Sequence, residues 1–250
     1  MRTLVVVPTY QEAENIEQMA NRVRDIVPEA DLLVVDDNSP DGTGDLAEKV
    51  GIERGQISVL RRPTKDGLGN AYRAGLGQGL DDGYEVLVQM DADFSHDPQD
   101  LIRLLAAIED GADVAIGSRY VEGGSIPHWP AYRRALSRYG NQYVVIMLRL
   151  GIHDATSGFR AYRAGALRAI RFDTTQANHY TFQTELSYRL ARWGGKVVEV
   201  PIAFTDRVRG TSKMPAATIV ESMGMVTWWG IRDRARRLLG RPRPPVQDIP

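Results

Sequence analysis

The chain reads as an α/β protein built on a doubly wound, mostly parallel sheet with helices on both faces and a C-terminal amphipathic helix. Three observations predict this. Short β-rich runs alternate with helical patterns through the first half of the chain, no repeat or low-complexity linker interrupts the alternation, and the strand-like runs end in polar clusters. Strands that alternate with crossover helices form parallel sheets covered on both sides. In such sheets ligands sit outside the carboxyl ends of the strands.

Taken in order, the first strand falls over residues 4–7 and is stopped by Pro8, which leaves it too short for a secretory signal. Runs at 32–35, 57–60, 85–90 and 114–116 supply further strands. Helical patterns occupy 12–26, 41–54, 69–79 and 99–109, and another lies over 182–193. From Ile219 to Leu239 an amphipathic stretch carries Met223, Met225, Trp228 and Trp229 and runs into Arg232, Arg234, Arg236, Arg237, Arg241 and Arg243. It fits an interfacial anchor on an anionic leaflet or a core-packing helix followed by a solvated tail. The expected division is an α/β domain over 1–215, an amphipathic helix over 216–240 and a disordered tail over 241–250.

With 250 residues, 43% hydrophobic and 25% charged, the chain is long enough to bury a sizeable core. Its net charge of −1 gives no overall field to recruit nucleic acid, so anions must be met by local clusters. The absence of cysteine rules out disulfides and thiolate metal sites and fits an intracellular protein. No window offers the roughly 18 apolar residues of a membrane span, although 143–148 and the C-terminal stretch are apolar enough to touch a bilayer.

Four consecutive strand ends carry polar clusters: Pro8 to Glu12, Asp36 to Thr43, Lys65 to Asn70, and Asp91-Ala92-Asp93. Each alone is ordinary turn or capping chemistry. Together on one sheet edge they mark a ligand site. Strand side chains repeat with period two, so Asp91 and Asp93 are expected to leave the 85–90 run on one side. Such a pair suits a hard divalent cation whose open positions a diphosphate fills, and the plainer alternative is a solvated loop capping the helix after Pro98. Gly67-Leu68-Gly69 does not make a dinucleotide fingerprint, which belongs after the first strand, and a Walker A lysine motif is missing.

The opening Val-Val-Val-Pro-Thr-Tyr-Gln-Glu-Ala-Glu-Asn-Ile, then Val-Val-Asp-Asp-Asn-Ser-Pro-Asp-Gly-Thr, Gly-Leu-Gly-Asn-Ala, Met-Asp-Ala-Asp and Ile-Gly-Ser-Arg-Tyr together resemble the family 2 inverting glycosyltransferases. The likeness runs from Leu4 to about Met214. Later segments, Trp129 to Arg138, Asp154 to Arg160, Phe182 to Glu185 and Asp206 to Lys213, resemble the dolichol-phosphate (polyprenol-phosphate) mannose synthases within that family.

The resemblance implies a GT-A fold, Mg²⁺ or Mn²⁺ on Asp91 and Asp93, GDP-mannose as donor and a polyprenyl or dolichyl monophosphate as acceptor. It implies catalytic contributions from Asp91, Asp93, Arg119 and Arg207. Donor contacts are implied for Pro8, Thr9, Tyr10, Glu12, Val35, Asp37, Gly67, Leu68, Ala92 and Lys213, and acceptor-phosphate contacts for Arg133, Ser137 and Arg138. It also implies a peripheral place on the cytoplasmic face of a membrane, and because the chain's own anchor looks weak, a separate membrane-anchor protein is a candidate partner. The alternatives are UDP-glucose as donor, or a family 2 enzyme that elongates a glycan. The resemblance departs at Ser95, where some relatives carry a glutamine that completes the metal shell, so the third protein ligand stays open.

The chemistry asks for positive charge at the departing diphosphate and again at an acceptor phosphate, which is already anionic and needs no general base. The later half supplies a surplus in Arg133, Arg134, Arg138, Arg160, Arg207, Arg209 and Lys213, which are otherwise ordinary surface cations. Glu185 is expected to orient an arginine or the sugar, or to serve as a structural ion-pair partner. The four histidines have no metal-ligand spacing. The segments 123–127 and 209–213 are expected to be mobile loops that close over bound donor.

Overall fold

A computed structural model of the chain describes residues 1–178, 181–206, 216–240 and 246, without the side chains of 216–221. The predicted alternation is present as β1 (Thr3–Thr9), α1 (Ala13–Ile26), β2 (Asp31–Asp36), α2 (Thr43–Arg54), β3 (Ile57–Arg61), α3 (Leu68–Asp81), β4 (Val86–Gln89), α4 (Asp100–Glu109) and β5 (Val114–Ser118). The second half adds α5 (Ala131–Leu148), β6 (Arg160–Arg163), α6 (Ala164–Ala169), a 3-10 turn (Phe172–Thr174), α7 (Thr181–Trp193), β7 (Val197–Pro201) and α8 (Ala216–Leu238).

The strands form one sheet in the order β3-β2-β1-β4-β6-β5-β7. All adjacent pairs are parallel except those of β6, which runs antiparallel to β4 and to β5. The chain reverses its direction of growth between β1 and β4, which pair from Thr3↔Val86 to Val6↔Gln89. The carboxyl ends of β1, β2, β3 and β4 therefore share one edge, the topological switch point where α/β sheets bind ligands.

Alternation along β1 sorts the two cores. Val5 and Val7 join Ile16, Met19 and Val23 of α1 with Leu101 and Leu104 of α4 on one face. Leu4 and Val6 join Tyr72 and Leu76 of α3 with Phe182 and Leu186 of α7 on the other. A third cluster ties α5 through Val144 and Leu148 to Tyr188 of α7 and to Val226 and Trp229 of α8. Among the described residues no helix is long and apolar enough to cross a membrane.

The sheet edge that faces the site is held in unusual backbone. Gln11 after β1, Asn38 after β2 and Phe94 after β4 all take left-handed conformations, with φ of 58°, 56° and 59°. Such backbone is costly for non-glycine residues and gathers at functional sites.

Candidate active site

β4 ends at Gln89, so Asp91 and Asp93 belong to the loop beyond it, and strand periodicity does not set their direction. They differ in environment: the Asp91 side chain is 35% exposed, whereas Asp93 is buried. Asp93 accepts the backbone N–H of Ser95 at 3.0 Å across the left-handed turn at Phe94. Asp91 accepts a hydrogen bond from the Tyr72 hydroxyl at 3.2 Å. Burial, reinforced by Asp91, pushes the Tyr72 phenol well above its usual value, so it remains a donor.

His96 lies beside this pair, which the sequence spacing did not indicate. It is buried, stacked on Phe159 with ring centroids 5.0 Å apart, and its Nδ1 sits 3.8 Å from Asp91 Oδ2. Burial lowers its pKa despite the two aspartates, so the imidazole is neutral and the approach is not an ion pair. Gly158 borders the open side of Asp91. A Cβ there would lie 3.9 Å from both carboxylate oxygens, so any longer side chain would begin to fill the space over the acid. Two carboxylates with a bare glycine alongside fit a hard cation with open positions.

Thr9, Val35 and Asp37 come together at the ends of β1 and β2 as the sequence reading expects, but part of the cluster is structural. Asp36 is buried and accepts from the hydroxyls of Thr9 at 3.2 Å and Ser39 at 2.6 Å. Asp41 accepts the Thr43 hydroxyl at 2.6 Å and the Ala13 N–H at 3.1 Å, and Thr43 accepts the Glu12 N–H at 3.0 Å. The turn reading of that loop is therefore correct for Asp41 and Thr43. Asp37 instead pairs with Arg62 at 2.7 Å, and burial outweighs this partner and raises its pKa. Lys65 sits 3.8 Å over the Tyr10 ring, and Gly67, at φ 114°, opens α3 ahead of Leu68. Pro8 and Glu12 flank this edge, and Ala92 is buried between the two acids.

Arg119 directly follows β5 and is preset. Its Nε and Nη2 each donate to Asp154 at 2.8 Å, and Nη2 also donates to Thr156 at 2.6 Å. Burial alone would lower the Arg119 pKa and raise that of Asp154, but each reverses the other's shift, so both stay charged. Asp154 is in turn placed by Glu199, which accepts its N–H at 2.8 Å.

Phe204, which sequence reasoning missed, joins this arginine to the acidic loop. Its ring lies 5.3 Å from His96, 5.8 Å from Trp129 and 5.4 Å from the Arg119 guanidinium. Trp129 then carries Arg133 at 3.7 Å, and Arg133 pairs with Asp206 at 2.7 Å. The Tyr120 hydroxyl bonds Ser137 at 2.7 Å. Arg138, also on α5, lines a cavity of about 370 Å³ with Tyr120. A chain of ring contacts through Phe204 and Trp129 thus links Arg119 and Arg133 to His96 of the acidic loop, and Ser137 and Arg138 lie on α5 beside Tyr120, while Arg207 and Lys213, with Arg209, lie outside the described residues.

Two expectations, for Arg160 and for segment 123–127, are corrected, and for Glu185 the structure decides between the two alternatives. Arg160 is fully buried and donates to the carbonyls of Ser157 and Ala155 and to Ser187, so it holds backbone rather than phosphate. Glu185 is also buried, pairs with Arg189 at 2.7 Å and accepts the N–H groups of Gln176 and Ala177, which is the structural alternative. Segment 123–127 is pinned: Ser125 donates to Ile202 O at 3.0 Å, and a Cβ on Gly124 would fall 2.6 Å from Ser118 O. The other loop, 209–213, lies outside the described residues.

One further side chain stands out. Gln183, near the start of α7, is buried, and neither atom of its amide has a partner within the protein among the described residues. The same absent Cβ of Gly158 that faces Asp91 at 3.9 Å faces Gln183 Nε2 at 3.8 Å. An amide offering a donor and an acceptor beside the acidic loop suits a sugar hydroxyl.

Residues 4–171 match the model of glycosyl transferase family 2, and the chain belongs to that family as a glycosyltransferase of the GT-A fold. It is 49% identical over 241 residues to an undecaprenyl-phosphate mannosyltransferase of Micrococcus luteus, covering 96% of this chain and 99% of that protein. It is also 49% identical over 240 residues to a polyprenol monophosphomannose synthase of Mycolicibacterium smegmatis, covering 96% of this chain and 91% of that protein. Among solved structures it resembles a Pyrobaculum calidifontis mannosyltransferase in complex with GDP-Man and Mn²⁺, with a TM-score of 0.58 and 16% identity over 98% of this chain and 66% of that one. At that identity the likeness speaks for the fold.

Proposed function

We propose that the chain transfers mannose from GDP-mannose to a polyprenyl or dolichyl monophosphate, with inversion, giving polyprenyl-phosphate mannose at a membrane surface. The observation that supports this reading is the contact chain through Phe204 and Trp129 that links the acidic loop to Arg119 and Arg133: the acidic pair would take a donor diphosphate with its cation, and Arg133, Ser137 and Arg138 an acceptor phosphate. Two relatives at 49% identity, whose names concern undecaprenyl-phosphate mannosyl transfer and polyprenol monophosphomannose synthesis, support the donor sugar and acceptor class.

Asp91 and Asp93 would hold Mg²⁺ or Mn²⁺, which when bound neutralises charge developing on the departing diphosphate. Arg119, fixed by Asp154, holds positive charge beside that group without reorganising. The strand ends with Thr9, Tyr10, Asp37 and Gly67 hold the nucleoside, and Gln183 reads the hexose. Arg133, Ser137 and Arg138 hold the acceptor phosphate in line with the anomeric carbon, exchanging Asp206 for phosphate at Arg133. A phosphate monoester is already anionic near neutral pH, with a second pKa of about 6, so the displacement needs no base from the protein. Tyr132, Leu136, Tyr139 and Ile146 leave apolar side chains exposed on the same helix as the acceptor arginines, which suits work at a lipid surface. No nucleic acid enters this reading.

The test is transfer to a short-chain polyprenyl phosphate from labelled GDP-mannose or UDP-glucose in parallel. The expected result is a β-linked mannosyl lipid from the α-linked GDP donor. Product from UDP-glucose alone would overturn the mannose assignment, and a retained α linkage would overturn single displacement.

A further inference from the structure

We propose that the chain carries a second anion site, built for a phosphate group, where the last turns of α5, α7 and α8 converge. A cavity of about 140 Å³ there is lined by four arginines, Arg149, Arg192, Arg234 and Arg237, against one carboxylate, Asp233. The lining therefore holds a surplus of three positive charges in a chain whose net charge is −1.

Cations gather naturally at helix C-termini, where carbonyls lack partners. That explains part of the cluster. The side chain of Arg192 is 2% exposed, and its Nη2 donates to the Leu148 carbonyl at the end of α5 and pairs with Asp233. Asp233 is further engaged by the Tyr188 hydroxyl at 2.9 Å. Arg192 Nε and Nη1 are buried with no hydrogen-bond partner among the described residues. Arg234 Nη1 finds the Met147 thioether at 3.1 Å, a weak acceptor. Donors exceed acceptors, and two of the arginines, Arg149 and Arg237, stand exposed at the rim. The group that balances this set is an oxyanion with several acceptor oxygens, and the planar forks of arginine match phosphate.

The site is separate from the acceptor cluster. Arg149 lies 11 positions after Arg138, the cluster's nearest arginine along α5, which at about 1.5 Å per residue is roughly 16 Å. It does not depend on the donor or acceptor of the transfer reaction. Free phosphate and the headgroup of an anionic phospholipid share the required chemistry.

The experiment uses the full chain with two probes: inorganic phosphate by calorimetry, and flotation with phosphatidylcholine vesicles with and without phosphatidylglycerol. Arg149→Gln and Arg237→Gln change exposed positions, and thermal unfolding checks that both fold. The charge-matched control is Arg236→Gln, on the same helix but outside the cavity lining. Saturable binding in either arm is expected, weakened about fivefold by Arg149→Gln and by Arg237→Gln, with Arg236→Gln staying within about twofold of wild type. Phosphate binding identifies a site open to free anions, and binding only to phosphatidylglycerol vesicles identifies a headgroup site. Silence in both arms, or an equal loss in Arg236→Gln, would overturn a built site.

Discussion

Gln183 and Asp154 separate chemistry from stability in opposite senses. Gln183 keeps a buried amide without a partner among the described residues, a cost that folding alone would remove. Gln183→Leu should therefore leave the urea midpoint unchanged or raised, while kcat/KM for the sugar nucleotide falls about tenfold or more, because a site that reads a hydroxyl loses its reader. GDP affinity should hold. A lower midpoint with unchanged kcat/KM would assign Gln183 to structure instead.

Asp154 is the reverse case. Its carboxylate is fully buried against an Arg119 side chain that is 9% exposed. Asp154→Asn leaves that guanidinium without its counter-charge, and stability should drop by about 3–5 kcal/mol. The pH dependence has a definite sign. Arg119 overcomes burial to hold the Asp154 pKa below its ordinary 3.8, so the carboxyl contributes stability above that value and loses it as pH falls through the folded pKa. The gap between wild type and Asp154→Asn in urea unfolding should be largest near neutrality and shrink below about pH 4. A gap constant down to strongly acid pH would contradict the pair's role.

The helix that carries Tyr72 is placed by what it lacks. α3 meets β1, β2 and β4 through glycines: a Cβ on Gly75 would fall 2.5 Å from Val6 Cγ1, and one on Gly79 would fall 2.6 Å from Leu87 Cδ2. Close approach there sets Tyr72 against Asp91 and Gly67 at the donor edge. Gly75→Ala should cost about 1–3 kcal/mol by overpacking, even though alanine favours helix. An unchanged or raised urea midpoint would show that α3 can back away. At this level the first five strands, the first four helices and, later in the chain, α7 and α8 were legible, because short β-rich runs and helical patterns follow one another along the chain. β6 was not, since its Arg160-Ala161-Tyr162-Arg163 buries an arginine that reads as surface charge, and its antiparallel direction leaves no trace in composition. The acidic pair was legible as a motif, but its geometry was not, because the strand stops at Gln89 and a left-handed Phe94 directs the turn.

Across the whole molecule, the proposed function sets the donor at the sheet edge and the acceptor at α5, and the contacts that link the two regions join residues distant in sequence. Phe204 carries no motif of its own, and only the fold brings its ring among His96, Trp129 and the Arg119 guanidinium. The same holds for Gln183, whose amide and the Asp91 carboxylate both border the bare Cα of Gly158. The division of labour makes the acidic pair the point on which transfer depends. The most direct measurement is labelled-mannose transfer from GDP-mannose to a short polyprenyl phosphate by wild type and Asp93→Asn, each with Mg²⁺, with Mn²⁺ and after chelation. Metal-dependent product in wild type, abolished by chelation and reduced at least about a hundredfold in Asp93→Asn, is the predicted result. Equal transfer after chelation, or an Asp93→Asn variant as active as wild type, would contradict the account.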